Sequence, residues 1–560
     1  MCGIFFLCDN SDVDLYGREK SIRTSFEKGQ HRGPDNSTIA YIPSIGAWVG
    51  FHRLSINGIG EEGNQPLKSH NCILICNGEI YNHTALYDTL DISNNTHSDC
   101  NIILDMYVRF GIEYTLQSLD GVFSFVLIDF REVEPKIIIA RDPMGVRPLY
   151  VMNTLSTGSQ DNLFGVASEL ITLQQTITDK HDTVEIKQFP PASYIELGVK
   201  WLDSATPSID HKDSQFTPYW AIPHSMSLAF SSDINDNSLY YEDILATLYE
   251  GVYKRVKNTD RPLGCLLSGG LDSSIVAALT KSILRDKPLR TYSIGLEGSV
   301  DLEKAKLVAD HIGSEHHEYV VRPETFINAV PEVIKNISSY DTTTVRASVG
   351  NYLVGQFISQ LGQDIVILNG DGADEVMGGY LYFKKAKNDL EFDKECKRLV
   401  RNIHHFDVLR SDRSISSHGL EPRTPFLDKT FVATYFSIPS KVRYNSTLKQ
   451  EKLLLREAID THWTDILPYD VLWRKKEAFS DGVSAMDQVW YTIFNDVDKY
   501  KCSSPIESDI NSPTTNEQKY YRSVFDQLYP GCASVIPYFW MPRFVKASDA
   551  SARTLSFYEE

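Results

Sequence analysis

Near Phe216 the spacing of apolar residues along the chain changes, and that change bounds what it can fold into. Upstream, short apolar runs recur at Trp48–Leu54, Cys72–Cys76, Val122–Asp129, Lys136–Ala140, Pro148–Met152 and Leu163–Ala167, parted by Asn, Gly, Asp and Pro. Runs of that length between turn formers read as the strands of a sheet-rich domain. From Asp203 to Ser238 the texture turns polar. Downstream, Gly264–Leu267 is followed by Leu271–Leu284, where Ile275, Ala278, Leu279 and Ile283 take the spacing of one helix face. Leu289–Ile294 repeats the strand, and Leu302, Ala305, Val308, Ala309 and Ile312 repeat the helix, which Gly313 can end. Ile365–Leu368 reads as a further buried strand. Strands alternating with helices predict a mainly parallel sheet, whose ligands bind beyond the carboxyl ends of its strands. A chain of 560 residues is too long for one ordinary domain. The division therefore predicts one domain over 2–210 and another over 216–560. Lys501–Gln518, rich in Ser, Pro, Asn and Thr, predicts a loop without chemistry.

A net charge of -19, spread along the chain, repels nucleic acid and anionic lipid, so neither is an expected partner. The nine cysteines form no Cys-x-x-Cys pair, which favours reduced thiols over a zinc site or a disulfide scaffold. No apolar stretch approaches about 18 residues, and Met1–Asn10 lacks the basic start and apolar run of a leader; a cytoplasmic protein is expected.

Removal of Met1 would leave the thiol of Cys2 beside its own α-amine, whose pKa near about 8 suits a general base at neutral pH. Met1-Cys2-Gly3 alone fits a partly buried thiol near the terminus better. The series that follows is more specific: His31-Arg32-Gly33-Pro34-Asp35, Phe51-His52-Arg53-Leu54-Ser55, Asn77-Gly78-Glu79-Ile80-Tyr81-Asn82, Ser98-Asp99-Cys100, Asp120-Gly121-Val122-Phe123 and Ala140-Arg141-Asp142-Pro143-Met144-Gly145-Val146-Arg147-Pro148. Over residues 2 to 200 the chain resembles class-II glutamine amidotransferase domains, amino-terminal-nucleophile hydrolases with an α/β/β/α sandwich. The resemblance makes Cys2 the nucleophile, and Asn77 with the N–H of Gly78 the oxyanion hole. It assigns glutamine binding to Arg53, Asn77, Gly78, Glu79 and Asp99. The charges agree, since Arg53 suits the carboxylate of glutamine and Glu79 and Asp99 suit its ammonium. At Ile56-Asn57-Gly58 the chain departs from relatives, which often carry an aspartate there.

Ser268-Gly269-Gly270-Leu271-Asp272-Ser273-Ser274 stands between a predicted strand and a predicted helix. Two glycines admit an anion close to the backbone, and the helix amino terminus adds free N–H groups and a favourable dipole. A strand-to-helix turn capped by Ser or Asp is the plainer reading of the heptapeptide. It lacks the lysine of a Walker loop. The motif resembles the pyrophosphate loop of enzymes that cleave ATP between its α and β phosphates. Asn369-Gly370-Asp371-Gly372-Ala373-Asp374-Glu375 follows the later strand, and its carboxylates suit Mg²⁺ held against the same pyrophosphate or, in isolation, a solvated acidic turn. Asp272 and Asp374 are the metal candidates.

Both halves together resemble the glutamine-hydrolysing asparagine synthetases. Tyr340 to Ser348, His405 to Arg410, Gly419 to Asp428, Arg474 to Gly482, Trp540 to Arg543 and Ser551 to Leu555 extend the match, the last two in the manner of its eukaryotic branch. The resemblance implies that ATP, aspartate and glutamine become asparagine, AMP, pyrophosphate and glutamate through a β-aspartyl-adenylate. The fold it implies is the amino-terminal-nucleophile sandwich followed by an α/β adenine-nucleotide α-hydrolase-like domain. It places ATP on Leu267, Ser268, Gly269, Gly270, Asp272, Ser273, Ile294, Asn369 and Gly370. Aspartate or phosphate falls to Thr343, Thr344 and Arg346, and catalysis to Asp371 and Lys476. Lys476 and Arg346 would neutralise phosphate charge, and Asp371 stands where relatives often have glutamate. Relatives also carry Glu-Thr before Tyr340-Asp341, where this chain has Ser338-Ser339. A homodimer follows from the resemblance alone. Two other readings share these motifs: a catalytically silent or regulatory protein of the same fold, and an amidating enzyme with a different carboxylate acceptor.

Overall fold

The computed structural model of the chain describes residues 1–9, 15–93, 97–154, 163–177, 184–201, 207–210, 215–224, 237–444, 450–475, 510–547 and 549–551. The chain divides into two compact units. One is Met1–Ala221 with Ser416–Leu420 and Tyr529–Val535; the other is Ile222–Ile415, Glu421–Leu528 and Ile536–Glu560. The first unit thus runs past the polar stretch around residue 210. Thr217–Pro218 pairs with Ser193–Tyr194, and the Tyr219 hydroxyl donates to Arg141 O at 2.8 Å.

The first unit holds two sheets whose paired strands are antiparallel. One runs Val184–Gln188, Tyr150–Thr154, Leu163–Ala167, Gly3–Asp9, Ala47–Arg53, Asn36–Ile42; the other runs Pro207–Asp210, Ser193–Trp201, Lys136–Arg141, Gly121–Asp129, Cys72–Ile80, Leu67–Ser69. Side chains alternate across each strand. Ile4, Phe6 and Cys8 therefore share one core with Ile75, Val126, Ile128, Ile137 and Ile139, between the sheets. Leu74, Cys76, Phe123, Phe125 and Leu127 face the other way, onto Ile102, Ile103, Met106 and Leu116 of helix Ile102–Ser118. Phe5 likewise turns outward and meets Phe26 of helix Leu15–Glu27, ring centroids 5.8 Å apart. Each fully buried Phe contributes about 2–3 kcal/mol relative to exposure. The layers are helix, sheet, sheet, helix.

The second unit carries a five-stranded sheet in the order Glu315–Val321, Arg290–Leu296, Leu263–Leu266, Val366–Leu368, Glu421–Arg423, every pair parallel. In chain order this reads third, second, first, fourth, fifth. The winding reverses between Leu263–Leu266 and Val366–Leu368, and a reversal of this kind opens a crevice at the carboxyl ends of those two strands. Helix Leu271–Leu284 has the bounds its periodicity predicts. Val300–Ile312 begins on Ser299, whose hydroxyl accepts from Leu302 N, and stops at Gly313 with φ 65. The edge strand Glu421–Arg423 contains Pro422, which an edge tolerates because the missing donor has no ladder partner to lose.

The predicted loop Lys501–Gln518 needs correction at its end. Asn516 opens helix Asn516–Leu528, while residues 501–509 lie outside the described ones. All described cysteines are free thiols. Among the described residues, no helix is long and apolar enough to cross a membrane.

Candidate active sites

Cys2 directly precedes the central strand Gly3–Asp9. Its thiol lies 3.5 Å from Leu54 O, its carbonyl accepts from Arg32 Nε at 2.9 Å, and Met1 N donates to Leu420 O at 3.2 Å. Arg32, fully buried, is fixed in turn by Glu169 at 2.9 Å and Ser416 at 3.0 Å. The Arg-Gly-Pro motif thus holds the start of the strand that carries the thiol.

Asn77 and Gly78 sit within strand Cys72–Ile80, which runs four residues beyond the expected Cys76. One edge pairs with Gly121–Asp129; on the other, the short strand Leu67–Ser69 reaches only Cys72–Leu74. Past Leu74, side chains take over that second edge. Gln65 Oε1 accepts from Cys76 N at 2.6 Å and Asp99 Oδ2 accepts from Ile80 N at 2.6 Å. Backbone donors alternate sides along a strand, so the Gly78 N–H faces the same edge, between two donors already satisfied. A glycine is required there, because a Cβ would fall 2.5 Å from Val122 O. Asn77 is fully buried; Nδ2 lies 3.4 Å from Ser168 Oγ, and Oδ1 has no hydrogen-bond partner among the described residues. Ser168 Oγ also accepts from Ile4 N at 3.1 Å, which ties Asn77 to the strand that follows Cys2.

Arg53 donates to Gly58 O, to Gly60 O at 2.7 Å and to Asn64 Oδ1 at 2.7 Å, clasping the loop after its strand. Asn57, in the Ile56-Asn57-Gly58 stretch, donates to Glu79 Oε2 at 2.6 Å. Glu79 and Asp99 are both buried.

In the second unit the loops leaving the first and fourth strands meet. A Cβ on Gly370 would stand 2.7 Å from Ser273 N, and one on Gly269, whose φ is +72, would stand 2.5 Å from Ala305 N. Only glycines allow these approaches. Ser273 Oγ accepts from Ser268 N at 3.1 Å, while Gly270 caps helix Leu271–Leu284 with no side-chain partner, leaving first-turn N–H groups for an anion.

The pocket at this junction is lined by apolar Leu267, Ile294, Ala347 and Val354 and by a dense set of charges. Lys452 Nζ lies 2.6 Å from Asp272 Oδ2 and 2.5 Å from Asp374 Oδ1. Arg410 pairs with Asp371 at 2.9 Å and Asp407 at 3.2 Å. Burial opposes the charge on Arg410, but Asp407 and Asp371 raise its pKa further above the ordinary value. Burial, with Asp407 and Asp374 nearby, pushes the Glu375 carboxyl well up; Tyr380 donates to it. Arg474 donates to Asp301 at 2.7 Å and Gly269 O at 3.2 Å, bracing the glycine loop.

Of the expected nucleotide residues, Leu267, Ser268, Gly270, Asp272, Ser273, Ile294, Asn369 and Gly370 line this pocket, as do Asp371, Asp374 and Thr343. Gly269, Thr344 and Arg346 do not. Thr344 instead donates through N and Oγ1 to Asp341, the cap of helix Thr342–Leu361. Arg346 is buried between Glu517 at 2.5 Å and Asp549 at 2.7 Å. Lys476 lies outside the described residues. Ser338 and Ser339 are buried away from the lining, Ser338 at the left-handed end of helix Pro323–Ile337. The resemblance gives no role to Lys452 or Arg474. A lone lysine before an apolar helix carries no motif, and Asp272 and Asp301 lie more than 170 positions from Lys452 and Arg474 respectively.

Among the described residues no group of three or more His, Cys, Asp or Glu forms a metal centre. The pair Asp272 and Asp374 does suit a divalent ion that keeps one or two carboxylates and takes its remaining ligands from phosphate and water.

A family model described as a glutamine amidotransferase domain matches residues 1–204, and one described as asparagine synthase matches residues 243–394 and 384–543. The glutamine-hydrolysing asparagine synthetase of Bos taurus is 38% identical over 580 residues, spanning 100% of this chain and 99% of that one. Those of Gallus gallus and Homo sapiens are 38% and 37% identical over 586 and 579 residues, with the same coverage. Both halves match in one continuous alignment that spans this chain and nearly all of those relatives, and the chain belongs to the family of glutamine-hydrolysing asparagine synthetases.

Proposed function

We propose that the chain converts ATP, aspartate, glutamine and water into asparagine, glutamate, AMP and pyrophosphate, with the nitrogen released in the first unit and the carboxylate activated in the second. The observation that carries this reading is the junction of the two glycine loops at the sheet reversal, where Gly370 packs on Asp272 and Ser273 beside a pocket of apolar and charged lining.

In the first unit, an amino-terminal-nucleophile site, the α-amine of Cys2 takes the thiol proton once Met1 is gone. The thiolate adds to the side-chain amide carbon of glutamine, and Asn77 Nδ2 and the Gly78 N–H stabilise the oxygen that gains charge. The C–N bond breaks as the amine returns its proton to the departing ammonia, and water then cleaves the thioester to glutamate. Arg53 would meet the carboxylate of glutamine, Glu79 and Asp99 its ammonium. The place of the Gly78 N–H on the strand edge, between the satisfied Cys76 and Ile80 donors, supports this assignment.

In the second unit, an oxygen of the aspartate β-carboxylate attacks the α phosphorus of ATP and pyrophosphate leaves. Ammonia then attacks the carbonyl carbon, and AMP departs with the aspartate oxygen. The helix Leu271–Leu284 amino terminus and Ser268 cradle the pyrophosphate. Asp272 and Asp374 would hold Mg²⁺, which supplies charge neutralisation on the phosphates. Asp371, oriented by Arg410, faces the pocket for adenylate formation and ammonia attack; Lys476 adds positive charge. Aspartate labelled with ¹⁸O in its β-carboxylate should transfer one labelled oxygen to AMP, read by mass spectrometry. Asparagine formed with unlabelled AMP would contradict the adenylate.

A further inference from the structure

Lys452 takes no part in the proposed reaction, yet three independent features single it out. Its ammonium contacts both oxygens of Asp272, at 2.7 and 2.6 Å, and Asp374 Oδ1 at 2.5 Å, with the side chain 1% exposed. Its backbone lies at φ 53, ψ 33, a left-handed conformation that disfavours any residue with a Cβ. Its path is kept clear by Gly379, since a Cβ there would collide with both the Lys452 side chain and the Asp374 carboxylate. Backbone strain and a reserved path persist where the surrounding fold over-determines them, and such places cluster at functional sites. Three other described cations of the pocket hold different partners: Arg410 is on Asp371 and Asp407, Arg456 is on Glu451 and Arg474 is on Asp301.

The ammonium occupies the ground between the two carboxylates that a divalent ion bridging them would need. Ligand oxygens stand about 2.0–2.1 Å from Mg²⁺, so ion and ammonium cannot share that place. Building on the assignment of Asp272 and Asp374 as metal ligands, we propose that Lys452 is the resident cation of the pyrophosphate site. In the free protein it holds the two carboxylates together and keeps divalent metal out. The metal arrives with ATP, whose phosphate oxygens take over the displaced ammonium, so Lys452 becomes a phosphate-binding residue. Nucleotide and metal then bind as one unit, each requiring the other.

The test uses Mn²⁺, which shares the preference of Mg²⁺ for oxygen ligands, titrated into the full chain without nucleotide and followed by electron paramagnetic resonance. Wild type should bind Mn²⁺ weakly, and α,β-methylene-ATP should create a tight site. Lys452→Met should bind Mn²⁺ at least roughly tenfold more tightly than wild type without nucleotide, because the competing charge is gone. The added Asp374→Asn change should abolish that gain. Folding of each variant is checked by its circular dichroism melt, with Lys452→Gln as the second neutral variant. Tight one-to-one Mn²⁺ binding by wild type without nucleotide overturns the proposal with no variant needed, and so does a folded Lys452→Met with unchanged affinity. A gained site that survives Asp374→Asn instead overturns the carboxylate assignment on which the proposal rests.

Discussion

Around Cys2, the buried Arg32–Glu169 ion pair apart, cations and carboxylates of the described site mostly meet neutral or backbone groups: Asp99 accepts from Ile80 N, Glu79 from Asn57, and Arg53 grips three oxygens of one loop. The pocket of the second unit is built instead from charge on charge, with Lys452 between Asp272 and Asp374 and Arg410 between Asp371 and Asp407. The contrast follows from the chemistry each can perform. Acyl transfer to a thiol needs donors fixed in advance where one oxygen gains charge. Handling a polyphosphate needs cations and carboxylates that exchange partners when the ligand enters. The antiparallel sandwich supplies rigid placement, and the reversal of the parallel sheet supplies an open crevice.

The sharpest way to break this division is Cys2→Ala. Glutamine-dependent asparagine formation should fall about 10⁴-fold or more, as when a nucleophile is removed elsewhere. Ammonia-dependent formation should stay within about twofold, because the proposal assigns glutamine hydrolysis and carboxylate activation to different units. Parallel loss of both would mean that the two chemistries are not separable. Asp374→Asn should do the reverse, lowering synthesis with either nitrogen donor about 10³-fold while glutamate release from glutamine continues; initial rates of glutamate and asparagine distinguish the cases.

Arg346→Met addresses whether that arginine serves phosphate or the fold. With buried Glu517 and part-buried Asp549 left without their cation, stability should drop by about 3 kcal/mol or more in urea titration. Retained stability with weakened ATP binding would return Arg346 to the phosphates. The smallest effect concerns Asp341, which accepts from Thr344 N at 2.9 Å and Trp540 N at 2.7 Å. Burial raises its carboxyl from 3.8 to about 6 despite the hydrogen bond from Thr344. The folded form therefore binds the proton more tightly than the unfolded one. Its contribution is fully present below 3.8 and is lost as pH rises through about 6. The stability of wild type relative to Asp341→Asn should fall by on the order of 2 kcal/mol across that window; a flat difference would contradict the assignment.

Much of the second unit was legible in sequence because its signals are local. Leu271–Leu284 announces itself by helical spacing, Gly313 ends its helix as a left-handed cap, and the two glycine loops follow apolar strands. The edge strand Glu421–Arg423 was hidden by its proline and three-residue length. Strand Cys72–Ile80 extends through Asn77-Gly78, residues that read as a turn when taken alone; pairing with Gly121–Asp129 overrides that local preference. Charge partnerships were the least legible. Nothing near Lys452 foretells Asp272, and nothing near Arg346 foretells Glu517, since topology alone brings such pairs together.

The central claim is that one chain carries both halves of an AMP-forming amide synthesis. Incubation with ATP, Mg²⁺ and aspartate, first with glutamine and then with ammonium, should yield asparagine, AMP and pyrophosphate in equal amounts with either donor. No asparagine from either, or ADP and phosphate in place of AMP and pyrophosphate, would contradict it.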